Sequence, residues 1–102
     1  MTEKVEFKKE DIINVIKHIN ELVVSLDRID SAHQDTSKEE WNNIIVEYFL
    51  KSNSLKALST CRTILSKPFS RELGADDMDE LERAMEDVEY WSYNDYCKKH
   101  KI

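Results

Sequence analysis

The sequence predicts an all-α protein, a compact bundle of four main helices, and three observations carry that expectation. Apolar residues recur at steps of three and four through several long stretches, the period of an amphipathic helix. One glycine (Gly74) and one proline (Pro68) in 102 residues are too few for the frequent turns of a sandwich or barrel. Charged residues make up 35% of the chain and hydrophobic residues 40%, the balance of long, highly charged helices. A chain of this length builds one core, so a single helical domain over residues 1–102 is expected.

Helix 1 is predicted over about residues 8 to 30, where Ile12, Val15, Ile16, Ile19, Leu22, Val23, Leu26 and Ile29 form one wide apolar stripe. Glu10 and Asp11 suit the positive end of its dipole, while its many β-branched residues lower its propensity, so packing must hold it. Ile12, Ile19 and Leu26, then Val15, Leu22 and Ile29, also recur every seven residues; three heptads barely make a coiled coil, and a bundle core is preferred. Residues 31–36 read as a loop. Ser37 with Glu40 then fits a capping box, with Thr36 and Glu39 as a one-residue shift. Trp41, Ile44, Ile45, Tyr48 and Phe49 mark the buried face of helix 2, which runs to about Lys51. Ser52-Asn53-Ser54 is a polar break, since Asn tolerates the left-handed region and Ser caps well.

Leu55, Leu58, Cys61, Ile64 and Leu65 outline helix 3, which Pro68 stops at Lys67. Residues 68–73 have room for one extra short helical turn before Gly74. Asp77 with Glu80 is the expected capping box of helix 4, whose stripe is Met78, Leu81, Ala84, Met85, Val88 and Trp91 and whose end lies near Lys99. Lys98, Lys99 and Lys101 would complement the negative end of its dipole. The expected core comprises Ile16, Ile19, Val23, Ile45 and Phe49, with Leu58, Leu65, Leu81, Met85 and Val88.

The composition narrows function mainly by exclusion. Without glycine-rich loops, phosphate-cradling and dinucleotide-binding turns are not expected. The net charge of −6 disfavours direct binding to nucleic acid or an anionic membrane. No apolar run is long enough to cross a bilayer and residues 1–10 are too charged for a secretory signal, so a cytoplasmic location is expected. Cys61 and Cys97, two and far apart, read as reduced thiols. His18, His33 and His100 stand in no metal-ligand spacing, and Cys97 with His100 is half a site at most, so no metal or other cofactor is expected. No nucleophile and base stand out, scattered carboxylates read as solvated helix faces, and the chain is expected not to be an enzyme or to take a small-molecule ligand.

The charge distribution is more informative than its total. Residues 72–97 hold ten acids and one base, Arg83, whereas residues 1–71 hold eleven of each sign. On a continuous helix 4, Asp79, Glu82, Glu86, Glu89, Tyr93 and Tyr96 share about a third of the circumference, with Tyr90 just outside it. Trp91 falls on the apolar side and reads as core. Carboxylates ending in tyrosines suit a basic protein partner, because charge steers encounter and rings bury area at low entropic cost.

In size, acidity and helical make-up the chain resembles the small all-α immunity proteins of bacterial toxin systems. The resemblance is one of kind, and no residue role is taken from it. It implies an inhibitor or antitoxin occupying the active-site or substrate-binding surface of a basic toxin, a nuclease above all, and the charge and ring pattern assigns the contact to Asp79, Glu82, Glu86, Glu89, Tyr90, Tyr93 and Tyr96. A nucleic-acid mimic directed at a phage-defence enzyme ranks lower, since residues 1–71 are charge-balanced; a helical adaptor is the remaining alternative.

Overall fold

The computed structural model describes Glu3–Ile102, all-α, with helices α1 (Lys9–Ala32), α2 (Lys38–Lys51), α3 (Ser54–Ser66), α4 (Glu80–Ala84) and α5 (Tyr93–His100). A single 3-10 turn, His33–Asp35, follows α1. The chain forms two compact units, Met1–Pro68 and Phe69–Ile102.

In the first unit, α1 is the common partner of α2 and α3. The Trp41 indole Nε1–H donates to the Ile29 carbonyl at 2.8 Å, one of the oxygens that a helix end leaves without an intrahelical donor. His33 meets the Trp41 ring edge-on, with centroids 4.8 Å apart. Further along, the Tyr48 hydroxyl donates to Glu21 at 2.9 Å, and the Cys61 thiol lies 3.9 Å from the Val15 carbonyl. As the α1 positions fall from 29 to 21 to 15, their partners rise from 41 to 48 to 61, so α2 and α3 run in tandem and antiparallel to α1. The result is a long helical hairpin.

The joint in its second limb is the Ser52-Asn53-Ser54 break, where Asn53 takes φ 52°, ψ 37° as a left-handed residue. The Ser52 and Ser54 hydroxyls hydrogen-bond to each other, which satisfies Ser54, buried against the joint. Ser37 caps α2 by accepting from the Glu40 N–H at 3.1 Å, the expected start. Helix α3 ends one residue earlier than expected, at Ser66, and no helical turn forms over residues 68–73.

The hairpin has two unlike sides. At 100° per residue, the half-buried inner face of α1 runs through Val15, His18, Leu22, Ser25 and Ile29. One flank holds two shallow grooves against α2 and α3, lined by Ser25, Arg28, Glu47 and Lys51 and by His18, Glu21 and Lys56. The other flank carries the expected core residues Ile16, Ile19, Val23, Phe49, Leu58 and Leu65, which are exposed, with Ile45 half-buried. Among the described residues, only Val15 and Cys61, each 4% exposed, are buried apolar residues. The expectation that these residues form the core is therefore corrected: two helical layers bury a seam, and the unit Met1–Pro68 supplies no third layer over the second apolar flank.

Candidate protein-binding site

The unit Phe69–Ile102 contains all seven residues singled out for partner binding, in a different local structure from the one expected. The expected helix from about Asp77 to Lys99 is two helices, α4 and α5, separated by a turn at Met85–Asp87 and an irregular stretch over residues 88–92. The expected Asp77 and Glu80 box is also displaced, to Asp79 and Glu82. Asp79 accepts from the Glu82 N–H at 2.8 Å, and Glu82 reaches back to the Asp79 N–H at 3.2 Å. Asp77 instead takes φ 63°, a left-handed turn that the expected cap position does not allow.

Competing local signals explain the break. A continued helix would set Glu82, Glu86 and Glu89 over one another at spacings of four and three, a like-charge repulsion, and Val88 is β-branched. Met85 N–H is instead shared among the carbonyls of Leu81, Glu82 and Arg83, the tightened last turn of a terminating helix. Ser92 then starts α5 by accepting from the Asp95 N–H at 3.1 Å, and Lys98, Lys99 and His100 complete its last turn. Ser92 with Asp95 is the signal that sequence reasoning missed, and it was present in the sequence.

This rearrangement dissolves the expected single stripe. Asp79 and Glu82 hold each other's backbone groups, Glu86 sits in the turn, Glu89 and Tyr90 lie in the irregular connector, and Tyr93 and Tyr96 belong to α5. It also frees Trp91, expected in the core, which is 75% exposed; Tyr90 and Tyr93 are 71% and 62% exposed. Met85 and Val88, also expected in the core, are exposed, and Leu81 is half-buried.

The break gathers rings rather than scattering them. Tyr96 lies 6.2 Å from Trp91 and 6.3 Å from Tyr93, centroid to centroid, and 4.4 Å from His100. Tyr93, Tyr96 and His100 share one face of α5 through their spacing of three and four. Tyr90, Trp91 and Asp95 border a shallow polar depression beside that face.

The one base within residues 72–97 is already engaged. Arg83 grips Asp76 through two bonds of 2.8 Å, Nε to Oδ2 and Nη2 to Oδ1, and also reaches the Met78 carbonyl at 3.1 Å. The guanidinium holds the Asp76 carboxyl down at about 2, with the Met78 N–H as a lesser contributor. Gly74 makes room for this bridge, since a Cβ there would sit 2.5 Å from Arg83 Nη2. The remaining acids of residues 72–97 have no other base within that segment, and the bases nearest the rings are those of the last turn of α5, Lys99 bordering the same depression as Tyr90 and Trp91.

Both thiols are free, Cys61 buried and Cys97 half-buried. Among the described residues, no three His, Cys, Asp or Glu side chains converge on a metal position, and no helix is long and apolar enough to cross a membrane. Comparison with protein-family models, curated proteins and solved structures yields no match to this chain.

Proposed function

We propose that the chain is a protein-binding inhibitor, an immunity protein or antitoxin, whose residues 79–100 occupy the basic substrate-binding surface of a toxin of the nuclease type. The observation that carries this reading is the cluster of exposed rings, Trp91, Tyr93 and Tyr96, inside the most acidic segment of the chain. Enzymes that bind nucleic acid present positive clefts, so an acidic surface is steered toward them and rings supply contact area once docked. Glu86 and Glu89 are the carboxylates free to serve encounter, because Asp79 and Glu82 are committed to capping α4.

The test is kinetic, on the protein that the chain retains from extracts of its own host. That protein should be basic, and any nuclease activity it has should fall in proportion to added chain, to zero at equimolar ratio. Tyr93→Ala should raise the dissociation rate about 30-fold, the loss expected of a hot-spot ring. Glu89→Lys should instead slow association and flatten its salt dependence, because a peripheral charge acts through a screened field. An acidic partner, or affinity indifferent to both substitutions in folded protein, contradicts the proposal.

A further inference from the structure

The apolar flank of the helical hairpin is the largest feature that the acidic segment leaves unexplained. Ile16, Ile19, Val23 and Leu26 follow one another along α1 at steps of three and four, and Phe49, Leu58 and Leu65 line the same flank on α2 and α3. These seven side chains are 37% to 59% exposed. Scattered singly they would need no explanation, but a continuous band along a helix of 24 residues does.

We propose that this flank is the interface of a two-fold symmetric homodimer, in which α1 packs antiparallel on α1 of a second copy and two hairpins close a helical bundle. The pattern on α1 is its own complement. Reversed about Ile19, Ile12 falls opposite Leu26 and Ile16 falls one residue, about 1.5 Å along the axis, from Val23, so these apolar positions lie against apolar partners. The ends match in charge as well. Lys8 and Lys9 stand at the start of α1, and Asp27 and Asp30 near its end, all exposed, so an antiparallel copy sets bases against acids at both ends.

Size and charge agree on the occupant. Seven side chains about half exposed offer roughly 500 Å² per copy, and about 1,000 Å² between two copies reaches the range of a specific interface before any rim contributes. Residues 1–71 carry eleven acids and eleven bases, so two hairpins approach each other without net repulsion.

Sedimentation equilibrium of the full chain across concentrations tests the proposal. The expected result is reversible association from 12.1 kDa to twice that mass. Ile19→Glu places two carboxylates together at the symmetry axis and should weaken the dimer about 100-fold or more, with the helical circular dichroism kept because that side chain is exposed in the single chain. Lys9→Glu and Asp30→Lys should each weaken it, and the double variant should restore it, a reciprocity that only antiparallel self-pairing produces. A mass of 12.1 kDa at every concentration overturns the proposal, as does a dimer that tolerates Ile19→Glu or that the double exchange fails to restore.

Discussion

Residues 3–68 and residues 69–102 make helices in opposite ways. The first region relies on length and side-chain contact: helices of 24, 14 and 13 residues, with neither α1 nor α3 capped by a side chain, meet along a seam through Val15 and Cys61. In the second, helices of five and eight residues bury no residue and begin on side-chain caps, Asp79 and Ser92. Short helices are marginal on their own because nucleation costs more than few bonds return, so capping has the larger share where packing has little. The contrast teaches where mutation should be felt. It also separates two kinds of surface, a neutral apolar flank and an acidic one bearing rings.

The largest expected effect lies in the hairpin seam. Val15→Asp puts an unpaired carboxylate where the side chain is 4% exposed, and should cost more than about 3 kcal/mol and unfold α1 with its partners in thermal or urea denaturation. Tyr93→Asp, at an exposed position in α5, should change global stability by less than about 0.5 kcal/mol. Equal effects from the two would break the comparison. A smaller loss is expected from Ser92→Ala, about 1 kcal/mol, confined to the α5 amides in hydrogen exchange and absent from α1.

Smaller still, and local, are changes at the Asp76–Arg83 bridge. Gly74→Ala should push Arg83 aside, and the Asp76 carboxyl should then titrate nearer its ordinary 3.8 than about 2, as followed by carboxyl chemical shifts. Because folding depresses this pKa, the bridge's contribution is complete above about 3.8 and is lost as pH falls through about 2. Loop amides over residues 74–83 should therefore loosen in that acid range before the hairpin does. Surface ion pairs are screened by water, so this effect should also shrink in salt.

These contrasts also mark what the sequence discloses. The three helices of the hairpin are legible because a period of 3.6 persists through Ile12 to Ile29, Ser37 announces α2, and Asn53 admits the left-handed joint. Periodicity identifies an apolar face without saying whether another layer covers it, which is why Ile16, Phe49 and Leu58 read as core and are exposed. In the acidic segment, the apolar spacing from Met78 to Trp91 argued for one helix, while the local caps at Asp79 and Ser92 divide it. Composition, acids beside tyrosines, singles out the candidate site residues, while the longer apolar period masks the Ser92 and Asp95 start that sets their arrangement. The same period sets Trp91 on an apolar face that the break at residues 85–92 removes.

The measurement that tests the separation of surfaces most directly is photo-crosslinking in the native host, with a benzophenone amino acid placed at Ile19 in one variant and at Tyr93 in another. The account predicts that position 19 captures a second copy of the chain and that position 93 captures a different, basic protein. Capture of the same partner from both positions, or of a second copy from position 93, would contradict it.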